Sequence, residues 1–393
     1  MLGIFTQLNL PAWFVTKSTV GFSREDAFLI LNGMQGVGPV MMRRLLERFN
    51  EDPVSVLHSS EAELMSVKGV GKKATSGIQG WRDGNWLELE RGRIAKHGAR
   101  FITVEDGDYP QALLETFDPP IGLYCQGSPP REPCVAIVGT RQPTLYGQNM
   151  ARRIASGLAN SGFCVVSGMA RGIDAAAHEG ALESSGRTVA VFGCGLDVIY
   201  PPEHLNLYRR IVETGAVVSE FPFGRRADRQ TFPMRNRVVA GMCVGVVVVE
   251  SSAVGGSMIT ARFAGEQGRQ VFAVPGRADQ PTAVGCHKLI REGATLVTHA
   301  EQVIEEVAPS LGLSLNASLS VGDSDASSGK AAPDNLSSCE STVYACLNDG
   351  SILTSDSLCE RTSLPVHEVA AALTMLELKR LVSRCKDGSF EVR

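Results

Sequence analysis

The chain has 393 residues, 44% of them apolar, and a formal net charge of −4. This is an ordinary soluble globular composition with room for two or three domains, and its slight acidity argues against a protein that coats itself with nucleic acid. Met1 to Val20 lacks a basic n-region and carries Asn9, Pro11 and Lys17, and no later stretch reaches the length of a membrane span, so a cytoplasmic protein with no membrane attachment is expected. Ten cysteines are scattered without a Cys-x-x-Cys pair, which fits free, mostly buried thiols better than a metal site.

In chain order, Arg24 to Asn32 reads helical, and Gly36-Val37-Gly38 with Pro39 then opens a helix through Met42, Leu45 and Leu46. The pattern recurs 33 residues later, where Ser60 to Val67 leads to Gly69-Val70-Gly71 and a helix toward Trp81. The two units resemble helix-hairpin-helix motifs, whose glycine-turn amides can hold a phosphate without reading sequence. A purely structural hairpin needs the same glycines, so both readings stay open. These units define an expected N-terminal helical domain, residues 1–85.

A helix from Trp86 to His97 precedes two apolar runs, Phe101 to Val104 and Ile121 to Cys125, read as added strands. From Cys134 onward strands and helices alternate. Strands are expected at Cys134–Val138, Phe163–Val166, Thr188–Phe192, Ala216–Ser219, Val244–Val249, Gln270–Val274 and Ala294–Val297. The helices between them fall at Tyr146–Asn160, Ile173–Ser184, His204–Thr214, Arg235–Met242, Ser257–Gln267 and Val284–Glu292. Such alternation specifies an α/β fold with a Rossmann-like, doubly wound, mostly parallel sheet over residues 86–308. Residues 309–338 hold nine serines and no aromatic, as a flexible linker would. Three helices and a hairpin around Lys386-Asp387-Gly388 make residues 339–393 a winged helix. Its third helix carries Glu368 and Glu377 against Lys379 and Arg380, so it lacks the basic face of a DNA reader.

Ligands of a doubly wound sheet bind beyond the carboxyl ends of its strands. The loops there share glycines, hydroxyls and arginines: Gly139-Thr140-Arg141, Ser167-Gly168 with Arg171 and Gly172, Phe232 with Arg235-Asn236-Arg237, and Gly256-Ser257. Several anion sites on one rim are the expected result. From Arg131 to Glu306 the chain uses 17 Arg and one Lys, a bias that suits bidentate phosphate recognition and that a GC-rich genome would also produce. No G-x-G-x-x-G follows the first strand and no Walker A run exists, so no cofactor is expected. Asp174 and His178, one helical turn apart, are read as tying their helix to neighbouring structure, and Glu250 as capping the serine-rich turn after it. Among the aromatics, Phe221 and Phe223 are expected to divide between a buried and an exposed face, leaving Phe223 or Phe232 to stack on a base.

The succession Gly139–Arg141, Ser167–His178, Tyr200-Pro201, Ser219-Glu220, Phe232–Arg237, Gly256–Thr260 and Pro275-Gly276 resembles, in order, that of the DprA/Smf family of DNA-processing proteins. The likeness spans roughly 100–308, with upstream matches at Asp108-Tyr109-Pro110 and Asp118-Pro119-Pro120. It implies a non-catalytic homodimer that binds single-stranded DNA, delivers it to the RecA recombinase in natural transformation and recombination, and touches the DNA backbone through Arg141. Pro202 and Gly255 depart from the family's Lys and Ser at those places, and Arg225, Arg226 or Arg229 could replace the missing cation. The alternative is a nucleotide phosphoribohydrolase-like enzyme on a related fold, whose Pro-Gly-Gly-x-Gly-Thr-x-x-Glu run Val254-Gly255-Gly256-Ser257 matches only at its start.

Overall fold

A computed structural model describes residues 23–34, 36–312, 336–348, 351–385 and 388–392. Most of the serine-rich linker, and Lys386 and Asp387 of the expected hairpin turn, lie outside the described residues. The chain divides into two compact units, Met1–Leu313 and Ser314–Arg393.

The first unit opens with helices α1 (Arg24–Gly33), α2 (Pro39–Arg48), α3 (Pro53–His58), α4 (Glu61–Met65), α5 (Lys72–Gln79) and α6 (Trp86–Lys96). Reciprocal caps start two of them: Ser23 with Asp26 on α1, and Ser60 with Glu63 on α4. Gly36 and Gly69 turn the chain at φ 82° and 94°, a region that glycine enters without strain. Phe28, Leu31, Leu45 and Ile78 from this module share one apolar cluster with Phe101, Tyr124 and Phe223 of the sheet layer. Polar ties accompany that packing: Asn32 donates to the Glu220 carbonyl at 2.8 Å, and the buried Glu90 carboxylate accepts from the Phe223 amide at 2.8 Å.

The remainder runs β1 (Arg100–Thr103), α7 (Gln111–Leu114), β2 (Gly122–Gly127), β3 (Cys134–Gly139), α8 (Leu145–Asn160), β4 (Cys164–Ser167) and α9 (Ile173–Glu183). It continues with β5 (Thr188–Phe192), α10 (Leu205–Thr214), β6 (Ala216–Ser219), α11 (Thr231–Gly241), β7 (Gly245–Val249) and α12 (Gly256–Glu266). The last elements are β8 (Gln270–Ala273), α13 (Val284–Arg291), β9 (Thr295–Leu296) and α14 (Ala300–Val307). They form one nine-stranded sheet in the order β1-β2-β6-β5-β4-β3-β7-β8-β9, parallel from β6 to β9 and antiparallel where β2 joins β6 and β1 joins β2. Both faces are covered. Cys134, Ala136 and Val138 of β3 enter one core while Val135 and Ile137 enter the other, the two-residue period of a strand buried on both sides.

Two expectations need correction. Helix α11 starts at Thr231 and not at Arg235, because the Asp228 carboxylate accepts from the Gln230 and Thr231 amides at 2.8 and 2.9 Å and fixes the turn there. Arg235, Asn236 and Arg237 therefore lie beyond the first turn of a packed helix and not at its start. Phe221 and Phe223 do not divide between faces, since both are buried, at 8% and 4% exposure.

The second unit contains α15 (Ser338–Leu347), α16 (Ser355–Thr362), α17 (Val366–Leu378) and an antiparallel pair, β10 (Val382–Arg384) with β11 (Phe390–Val392). Val343, Leu347, Leu358, Leu373 and Phe390 form its core, and Lys379 reaches the Glu340 carboxylate at 2.8 Å.

The end of β3 leaves no room for a side chain at Gly139. A Cβ on Gly139 would lie 2.0 Å from the Val249 carbonyl and 2.6 Å from Ile173 Cγ1. Gly139→Ala should therefore cost about 1–3 kcal/mol of stability through overpacking, read as a lowered urea midpoint; an unchanged midpoint would show that this approach is not tight.

Candidate nucleic-acid interface

Strand order reverses at β3: the chain winds outward through β4, β5 and β6 on one side and returns to β7, β8 and β9 on the other. Loops leaving β3 and β7 diverge at such a switch point and leave a crevice at their carboxyl ends. A cavity of about 530 Å³ occupies it, bordered by Gly139, Thr140 and Arg141 after β3, by Ser251, Gly255, Gly256 and Ser257 after β7, and by Arg229, Phe232, Arg235 and Asn236. Glu250 fixes one wall. Its carboxylate accepts from the Thr144 amide at 2.8 Å and from the Thr144 hydroxyl, so it caps the start of α8 across the crevice and not the serine-rich turn beside it.

The predicted residues divide by what they have left to offer. Arg141 is exposed, has no ion-pair partner among the described residues, and holds its guanidinium 5.2 Å from the centre of the Phe232 ring. Tyr200, 41% exposed, lies 6.2 Å from the half-buried Phe232 ring, and both border a pocket shared with Arg141 and Arg171. At the start of α12 the Gly256 and Ser257 amides have no acceptor among the described residues, as expected of a helix N-terminus without a side-chain cap. Arg229 is exposed on the same cavity, also without an ion pair among the described residues.

Other members of the expected set already have partners within the protein. The Ser167 hydroxyl is buried and donates to the Ile137 carbonyl at 2.6 Å, and the Ser257 hydroxyl donates to Ser251. Gly168 gives its amide to Asp174 at 3.1 Å, and it is glycine because a Cβ would fall 1.7 Å from an Arg235 nitrogen. Arg235, 7% exposed, donates to the Gly168 and Val191 carbonyls and to Asn236 Oδ1, while Asn236 donates to the Gly256 carbonyl at 3.2 Å. Arg237, 5% exposed, is bound to Glu220 and to the Asp118 carbonyl and does not border the cavity. Gly172 turns the chain at φ 82° and packs against the Thr140 carbonyl. Arg171 is exposed but paired with Glu203 at 2.5 Å.

Asp174 and His178 tie α9 to its surroundings through separate hydrogen bonds. Asp174 accepts from the Gly168 and Ala170 amides; burial pushes its pKa up, against the pull of the Arg235 charge. What remains among the described residues is a crevice with free cations, open amides and two accessible rings. It can grip an anion and stack a flat group.

The family model described as DNA recombination-mediator protein A matches residues 100–308, and that of the DprA winged helix domain matches 327–388. The chain is 38% identical over 292 residues to Protein Smf of Synechocystis sp., covering 72% of each. It is 36% identical over 318 residues to the putative DNA processing protein DprA of Mycobacterium tuberculosis, 76% of this chain and 78% of that one. The crystallographic structure of DNA processing protein A from Streptococcus pneumoniae superposes with a TM-score of 0.63 at 32% identity, covering 72% of this chain and 97% of that one. The chain belongs to the DprA/Smf family. The family's described role is that of a recombination mediator and not that of a phosphoribohydrolase, and a non-catalytic part for this DprA/Smf chain fits it. Among its described residues no helix is long and apolar enough to cross a membrane.

One buried group of this DprA/Smf chain sets a pH dependence. The His178 ring is fully buried, with Nδ1 2.7 Å from Thr188 Oγ1, and burial pushes its pKa from 6.5 down to about 3. The unfolded chain takes up a proton below about 6.5 that the folded chain refuses, so this contribution to stability is full above that pH and is lost as pH falls toward about 3. The slope is about 1.4 kcal/mol per pH unit within that window. His178→Gln should flatten the decline in urea stability between about pH 6.5 and 5; parallel profiles for variant and parent would show that His178 titrates normally.

Proposed function

We propose that the chain binds single-stranded DNA in the crevice between the ends of β3 and β7 and, as a homodimer, delivers it to the RecA recombinase in recombination and natural transformation. The observation that carries the DNA reading is Arg141, without an ion pair among the described residues and lying over the Phe232 ring at the mouth of the crevice. Guanidinium and open amides at Gly256 and Ser257 suit phosphate oxygens, which are the same for every base, so little sequence preference follows. A strand held by its backbone leaves its bases free, and Tyr200 and Phe232 offer faces that a base can stack on only when it is unpaired. That is why a single strand is preferred over a duplex. The RecA and dimer parts rest on kinship with DNA-processing proteins and on the family's description as a recombination mediator.

The test is fluorescence anisotropy of labelled oligonucleotides, single-stranded against duplex. If about six phosphates are neutralised, the log-log salt slope for a single strand should be near −4. Arg141→Ala should weaken binding by about 1.5 to 3 kcal/mol at unchanged thermal stability, since the side chain is exposed and makes no ion pair among the described residues. Equal affinity of variant and parent, or tighter binding of duplex, would refute the reading.

A further inference from the structure

The segment Phe221–Gln230 borders more than the crevice. On its other side lies a groove of about 930 Å³, walled by Gly38 at the start of α2, Lys73 of α5, Trp86 of α6, and Arg225 and Arg226 of the segment itself. Charge on these walls is mostly positive. Lys73 and Arg226 are exposed and make no ion pair among the described residues, whereas Arg225 engages Asp228 at 2.6 Å. Among the described residues the one acidic group on the groove, Glu220, is partly buried and already holds Arg237. Gly38 has an ordinary extended φ of −87°, and a Cβ there would meet nothing within 4 Å, so neither backbone strain nor internal packing requires glycine at that wall. Trp86 is half-buried and presents part of a large aromatic surface to the same space.

Crevice and groove are therefore separated by one short segment studded with guanidinium groups. Arg229 borders the crevice, while Arg225, Arg226 and Gln230 border the groove. Flexible polyanions follow continuous positive potential, and single-strand sites combine such a track with aromatic faces.

We propose that a single strand held at Arg141 continues over the Gly224–Gln230 segment into this groove, where Lys73 and Arg226 take phosphates and Trp86 meets a base. The N-terminal helices thereby become part of the DNA-binding surface. This rests on the function proposed above and extends its footprint.

Strand length separates the two ideas. Oligo-dT of about 6 nucleotides fits a single short site, and about 20 nucleotides exceeds one. Against the shorter strand, the Lys73→Ala/Arg226→Ala double variant of the full chain should bind within about twofold of the parent. Against the longer one it should bind roughly tenfold more weakly, with a salt slope shallower by about 1.4, since each single-strand phosphate contact contributes about 0.7. With Trp13→Phe and Trp81→Phe in place, Trp86 fluorescence should be quenched by the longer strand and not by the shorter. If the double variant matches the parent on the longer strand while Arg141→Ala weakens both lengths, the extension is refuted and the crevice stands. Equal weakening at both lengths would also refute it, because the groove would then not be a continuation. Failure of Arg141→Ala to weaken either length would overturn the crevice reading and the extension with it.

Discussion

A guanidinium buried at the carboxyl ends of the central strands organises this molecule. Arg235 reaches the Gly168 carbonyl after β4 and the Val191 carbonyl within β5, while Asp174 gathers the Gly168 and Ala170 amides from the other direction. Backbone groups supply most of the hydrogen bonds to these two side chains, and such bonds are the condition for keeping charge out of water. Removing either partner would leave an uncompensated charge in the interior, so the loops after β4 and β5 are held in one arrangement.

That arrangement also explains which arginines are free. Arg235 and Arg237 flank Asn236 on a packed helix, and both are consumed by carbonyls and a carboxylate of the same chain. Arg171 is balanced by Glu203. Of the arginines bordering the crevice, Arg141 and Arg229 remain without an ion pair among the described residues, on loops from different parts of the sheet that meet over one cavity. Phosphate binding by exposed guanidinium requires this division, since a cation that already has a carboxylate partner gains little from a second anion.

The helical module contributes more than a leading appendage would. Its apolar residues merge with Phe101, Tyr124 and Phe223 into one cluster, and Asn32 and Glu90 hydrogen-bond to the segment that begins at Glu220. The position of the Phe221–Gln230 segment, and with it the relation of crevice to groove, therefore depends on contacts between stretches of chain separated by well over a hundred residues.

Sequence alone determined the alternation of strands and helices, because a buried parallel strand must be a short apolar run and the helix covering it must be periodic; β5 and β6 fall at the residues read from Thr188–Phe192 and Ala216–Ser219. It also determined that glycines, hydroxyls and arginines collect after the strands, as any doubly wound sheet with a ligand requires. It could not say which of those groups face a ligand. Arg141 and Arg235 look alike in a motif, yet one is exposed and the other buried, because capping by Asp228 starts α11 early enough to bring Arg235 into the packed interior. Phe223 and Phe232 were equally eligible for stacking until Tyr124 and the N-terminal helices enclosed the first. Local pattern fixes what a residue can do, and burial, which is a property of distant chain segments meeting, decides whether it is free to do it.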